Sequence, residues 1–270
     1  MQSGKKAGRA ILCLAMFYAV SGWAQGGAAS GTSTAAINAQ NANNVCRIFF
    51  QTPKPGMTQA FETARKKHNL FHGSQKDTWT WSTFEIQTGN NAGTYVTSTC
   101  GHSWKDFDDW DKKMGKADAA DAGASIGQTV QGGRNGFYIY RADMSLGPAN
   151  QPPPPLTSVT VYSLRPGTVP DFVDAIKKVT DAISKQPDWP KTSGWLQLAN
   201  GGDVPTFVLL NNRQSWAEFA PLAKTPQEVL TETIGKEAAD AVYKTIREST
   251  EHLYTEAATY RSDLSYTPAK

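Results

Sequence analysis

Two histidines four residues apart, in His68-Asn69-Leu70-Phe71-His72, are residues whose type and spacing could do chemistry. Imidazoles one helical turn apart share a face and can hold a metal ion between them. No carboxylate follows at the spacing of a zinc protease, and the matching positions later in the chain are Val179 and Ile183. A two-residue match is weak. The pair is therefore read as a helix-end or surface pair, with no metal and no cofactor expected. His102 stands directly before Ser103; sequence neighbours rarely face each other, no nucleophile elbow surrounds them, and Ser103 is read as a helix N-cap. The glycines from Gly123 to Gly136 lack both nucleotide-loop spacings and read as loop. No acid, base or nucleophile set emerges, so no catalytic residue is named and enzymatic activity is left open. The strongest site candidate is a polar and aromatic set: Arg47, Trp79, Trp81, Tyr162 and Trp195.

The positions of those residues follow from a duplication. Lys54-Pro55-Gly56 returns as Arg165-Pro166-Gly167, with Phe61 and Phe172 at the same distance beyond. Ser103-Trp104 with Phe107 returns as Ser215-Trp216 with Phe219, and Tyr140-Arg141-Ala142-Asp143-Met144-Ser145 as Tyr260-Arg261-Ser262-Asp263-Leu264-Ser265. Three motifs in one order mark two copies of one unit.

Residues 1–24 read as a secretory signal: Lys5, Lys6 and Arg9, then an apolar run from Ile11 to Val20, then a small-residue exit before Gln25. Cleavage is expected between Ala24 and Gln25. The run is too short for a spanning helix, which needs about 20 residues. The signal carries three positive charges and no negative one, so its loss takes the formal net charge from +3 to zero. A balanced mature chain gives no electrostatic footprint for nucleic acid. The reading is thus an exported protein, periplasmic or extracellular, without a stable membrane anchor. Cys46 and Cys100 remain, and an even pair in an exported chain permits a disulfide.

Residues 25–44 are small and polar and read as a flexible tether. Residues 147–155, with prolines from 152 to 155, read as a semi-rigid linker. Units of 45–146 and 156–266 flank it. In each unit alternating strands, Pro-Gly turns and helical spacing give the order β-α-β-β-α-β, a ferredoxin-like unit. Helical spacing predicts a long last helix from Lys236 to Ala257, with Val242, Ile246, Ser249 and Leu253 as its stripe. Ser103 and Ser215 are expected to cap helices, Ser215 with Glu218 at capping-box spacing, and Trp104, Phe107, Trp216 and Phe219 to pack in the core. A disulfide between Cys46 and Cys100 would join the first and third strands, neighbours in such a sheet.

Alternate strand residues face opposite sides of a sheet. Ile48, Phe50, Phe84, Ile86, Val159, Val161, Leu196 and Leu198 share one register and are expected under the helices. Arg47, Phe49, Gln51, Trp79, Trp81, Thr83 and Glu85 share the other with Thr160, Tyr162, Trp195 and Gln197, and are expected to meet the other copy inside a barrel. Whether those rings line a ligand cavity or fill the barrel stays open.

With its basic-Pro-Gly turns, the Phe-bearing helix after each and its Ser-Trp-x-x-Phe helix starts, the chain resembles the dimeric α/β-barrel superfamily, which includes antibiotic-biosynthesis-monooxygenase-like proteins. The resemblance covers nearly all of the mature chain, twice. It implies an α+β fold in which two tandem ferredoxin-like units form an intramolecular barrel, and hence a monomer. Fold alone does not select a function. The leading expectation is a protein that binds a small aromatic or apolar ligand between two sheets. The alternatives are a cofactor-independent monooxygenase or haem-handling enzyme, and a non-catalytic interaction module with a filled core.

Overall fold

The structure is a computed structural model that describes residues 42–147 and 151–269. The expected signal and most of the tether, at 1–41, lie outside these residues. Unit one runs β1 (Val45–Pro53), α1 (Thr58–Ser74), β2 (Ser82–Ile86), β3 (Tyr95–His102), α2 (Trp104–Trp110), α3 (Lys116–Ala124) and β4 (Val130–Tyr140). Unit two runs β5 (Leu156–Leu164), α4 (Val169–Ser184), β6 (Ser193–Asn200), β7 (Thr206–Arg213), α5 (Pro226–Ile234), α6 (Lys236–Ser249) and β8 (Thr250–Tyr260).

The strands close one antiparallel barrel in the order β1-β3-β2-β8-β5-β7-β6-β4. Each unit contributes a four-stranded ferredoxin-like sheet, β4-β1-β3-β2 or β8-β5-β7-β6. The seams are β2 with β8, where Phe84 pairs with Tyr260, and β4 with β6, where Tyr140 pairs with Leu196. Closure leaves no sheet edge open. The helices pack outside, amphipathic α4 burying Phe172, Ala175, Ile176 and Ile183 toward the sheet and its neighbours. Gly56 and Gly167, both at positive φ, turn the chain after β1 and β5.

Several expectations are corrected. The last helix stops at Ser249, and residues 250–260 form β8, paired along its length with β5. Leu253, placed on a helical stripe by its spacing, is an exposed strand residue. The glycine segment is only partly loop, because β4 begins at Val130 and carries Gly132, Gly133 and Gly136. A Cβ on Gly133 would stand 3.0 Å from Phe50 O, and one on Gly136 2.9 Å from Asn200 O, so these glycines allow the strands to approach. Ser103 caps α2 in a full capping box with Asp106, but Ser215 makes no side-chain cap and precedes only a 3-10 turn. The matching box in unit two is Thr225 with Glu228, starting α5. Phe107 is buried as expected, whereas Trp216 is 54% exposed and lies tilted against Phe219, ring centroids 5.1 Å apart.

Cys46 and Cys100 are disulfide-bonded, their Cα atoms 4.0 Å apart. The register between β1 and β3 shifts at this point, so that Cys100 and Gly101 together oppose Cys46. Gly101 has a φ of 82°, a conformation that suits a bulge at a glycine.

Candidate functional site

The facing of the two strand registers is the reverse of that expected. Ile48, Phe50, Phe84, Ile86, Val159, Val161, Leu196 and Leu198 face into the barrel and line a cavity of about 840 Å³. The aromatic register faces out, beneath the helices. β1, β6, and β2 with Trp81 just before it, carry large apolar residues on both faces, so hydrophobicity could not say which face meets helices and which meets the other sheet. Size decides it. Large rings fill the gap between sheet and helix, while medium aliphatic side chains from the two sheets stop short of one another at the barrel axis.

The five candidate residues consequently do not form one inward cluster. Trp195 is buried against Met144 and Phe172 under α4, with Tyr162 5.4 Å away ring to ring. Burial pushes the Tyr162 hydroxyl up from its ordinary value. Trp79 and Trp81 pack with Trp110 and Met114 beneath the helices of unit one, and the Trp79 ring stacks on His102 at 3.7 Å. Arg47 lies over the rings of Phe49 and Phe137 and 3.8 Å from Asp111. These are two packing clusters on opposite outer faces of the barrel. None of the five lines the cavity.

The cavity runs along the barrel. Its middle is aliphatic, with contributions from both units including Leu196, Leu198, Val208 and Leu210. At one mouth lie Asn43, Asn44, the disulfide and Pro152 to Pro154 of the linker. Gln151 is fixed there as it accepts a hydrogen bond from Asn212 Nδ2 at 3.1 Å. At the other end are Arg134, Tyr254, Asn91 and the buried Glu256, which accepts from Asn91 Nδ2 at 2.5 Å. Burial pushes the Glu256 carboxyl above its usual value, against the opposing pull of Asn91 and Arg134. The sequence signal for Glu256 was missed because residues 250–257 were assigned to a helix. A histidine-ligated haem does not fit: the lining includes no histidine, and its cysteines are bonded to each other.

His68 and His72 are not a surface pair. They are 3% and 2% exposed. His68 Nδ1 lies 2.7 Å from Asp121 Oδ2, and His72 Nδ1 2.8 Å from Asp77 Oδ2. Asp77 also accepts from Trp81 Nε1 at 2.9 Å. The His68 and His72 Nε2 atoms are 3.2 Å apart, with Asp118 Oδ1 at 3.3 and 3.4 Å from them. The two aspartates on α3 lie some fifty positions from the histidines, too far for sequence spacing to connect them.

No family model matches the sequence, and no curated protein does. Solved structures do. An anthrone oxidase-like protein aligns with a TM-score of 0.55 at 13% identity, over 84% of this chain and 94% of its own. A monooxygenase-like protein from Fusobacterium nucleatum aligns at 0.54 and 10%, over 81% and 93%. Another from Lactobacillus acidophilus aligns at 0.51 and 7%, over 84% and 97%. At these identities the likeness is one of fold. The chain is, in fold, a dimeric α/β barrel of two tandem ferredoxin-like units.

Proposed function

We propose that this protein binds one small, mainly apolar molecule inside its barrel. The observation that carries this reading is the cavity of about 840 Å³ between the two sheets. That volume is in the range of small-molecule sites, about 300–1,000 Å³, and an eight-stranded barrel is just wide enough for one small ligand. The aliphatic walls favour a hydrocarbon or aromatic body. Glu256, Asn91 and Arg134 at one end favour a ligand with a hydroxyl or similar polar group that orients it. The linker prolines lie against the opposite mouth, which supports retention rather than rapid exchange. The alternative of a monooxygenase is supported by likeness of fold only, and the cavity lining offers no histidine to hold a haem.

Native mass spectrometry of the purified protein, followed by titration with an apolar fluorescent probe, tests the reading. A retained small molecule, or one probe per chain, is expected. Val208→Trp, which fills the cavity, should weaken binding at least tenfold, while Trp195→Ala lowers stability and leaves affinity nearly unchanged. No retained molecule together with no probe binding, or equal binding by Val208→Trp, would overturn it.

A further inference from the structure

What holds α3 in place is a chemical question. None of its residues is buried, whereas α5 and α6 in unit two bury Val229, Leu230, Ala239 and Val242 against α4. Val179 and Ile183 of α4 belong to that apolar contact, at the positions that match His68 and His72. A nine-residue helix with no buried residue of its own is marginal by itself, and its nearest apolar anchor is Ile126 just beyond its end, in the cluster of Phe61 on α1. Its contacts to α1 run through Asp118 and Asp121, one turn apart, facing the two histidines. A π-helical turn at Asp111–Gly115 re-aims the chain between α2 and α3, a feature found frequently at functional sites.

Both imidazole Nδ1 atoms face carboxylates, which accept hydrogen bonds, so each Nδ1 carries the hydrogen. Each neutral ring then leaves Nε2 as a bare acceptor. The two Nε2 atoms and Asp118 Oδ1 converge within 3.2 to 3.4 Å of one another, and that oxygen is buried without a hydrogen-bond partner. Three acceptor atoms this close repel one another unless a cation lies among them. Asp77, Asp118 and Asp121 also outweigh the buried Arg65 by two negative charges, the deficit a divalent ion fills.

The separations suit a tetrahedral ion. Ligands about 2.0–2.1 Å from a tetrahedral zinc stand about 3.3–3.4 Å apart, whereas cis ligands of an octahedral ion at that distance stand about 2.9 Å apart. We propose that His68 Nε2, His72 Nε2 and Asp118 Oδ1 are three ligands of a zinc ion that staples α3 to α1. Water completes the tetrahedron on the side where Asp118 is partly exposed. Asp121 and Asp77 orient the rings, as carboxylates behind zinc-bound histidines do. Zinc in unit one takes the place of the hydrophobic contact in unit two. This inference is independent of what the barrel holds.

The test uses tag-free protein, stripped with a chelator and titrated with zinc or cobalt. One zinc per chain is expected, with a rise in Tm and slowed amide exchange across residues 116–124. Cobalt should give the intense visible bands of a four-coordinate site. Asp118→Asn breaks no hydrogen bond of Oδ1, so it should fold; its zinc affinity should fall by more than the ~10–100-fold typical of outer-sphere partners. If a shared proton holds the cluster instead, zinc will change neither Tm nor exchange. That result overturns the proposal, as does undiminished zinc binding by Asp118→Asn.

Discussion

Arg261 of the second unit donates from Nη1 to Glu85 Oε2 of the first at 2.9 Å, and from the same nitrogen to Glu62 Oε1 at 2.6 Å. The repeated Tyr-Arg-x-Asp motif is thus a clasp between units. At the opposite seam Arg141 Nη1 donates to Gln197 Oε1 at 2.7 Å. In both copies the arginine is braced by the following aspartate, and the serine hydroxyl bonds back to the arginine carbonyl. Ser145 and Ser265 then accept from Trp195 N and Thr83 N across the seam.

Arg261→Ala should destabilise the protein by about 2 kcal/mol, since hydrogen bonds to charged groups contribute about 1.5–3 kcal/mol. Arg141→Ala should cost less, because its partner across the seam is neutral. Urea denaturation of both variants measures the difference. The clasp also sets an acid limit. Hydrogen bonding from Arg261, aided by Lys66, lowers the Asp263 carboxyl to about 2, and Arg261 lowers Glu62 as well. A lowered carboxyl stabilises above its unfolded value and loses that contribution as pH falls. The loss should therefore begin near the ordinary Asp value of 3.8 and be complete at about 2. Asp263→Asn should be less stable at neutral pH and converge with the parent in acid.

The disulfide closes a sequence separation of 54 residues. In the chain-entropy account such a loop contributes about 4 kcal/mol by restricting the unfolded chain. Replacing both cysteines by serine should lower stability by up to that amount without changing the fold, as read by denaturant midpoints and circular dichroism. An unchanged midpoint would mean that the bond does not form in solution.

Glu256 should act in the opposite sense to Asp263. Its carboxyl is raised by burial, so the folded protein holds the proton more tightly than the unfolded chain. Stability from this group is fullest below the ordinary Glu value and falls as pH rises through the raised one. Glu256→Gln keeps the acceptor for Asn91 and removes the buried charge. A higher Tm than the parent at about pH 7 is expected, with the difference vanishing at about pH 3. If the difference persists at that pH, the carboxylate is not its cause.

How far the sequence could be read depends on which interactions are local. The duplication, the strand order and the Ser103 cap are carried by nearby residues, and all but the details of β4 and β8 follow. The start of β4 is hidden by glycines that read as loop, and that of β8 by the helical stripe of Val242, Ile246 and Ser249, which continues by chance into Leu253. Comparison of the copies carries a sharper signal: both strands start ten residues before a repeated tyrosine, Tyr140 or Tyr260. Facing could not be read, since Trp195 and Leu196 are both buried, one under α4 and one toward the barrel. The histidine cluster was dismissed for lack of a nearby carboxylate. Its carboxylates come from Asp77, just beyond α1, and from α3, which only the fold brings there.

The two units should unfold as one. Separated, each would expose the edges of β2 and β4, or of β6 and β8, and the apolar face that now lines the cavity. Burying one such aliphatic or aromatic side chain is worth about 1.5–3 kcal/mol, and each face carries several. Neither unit can recover this alone, and the chain supplies its own partner, so sedimentation should show a monomer. Calorimetry should show one transition whose van't Hoff and calorimetric enthalpies agree. Expressed separately, the units should be insoluble, or should pair with themselves through the same edges. Two independent transitions in the full chain, or two stable monomeric halves that melt at its temperature, would show that the seams contribute little.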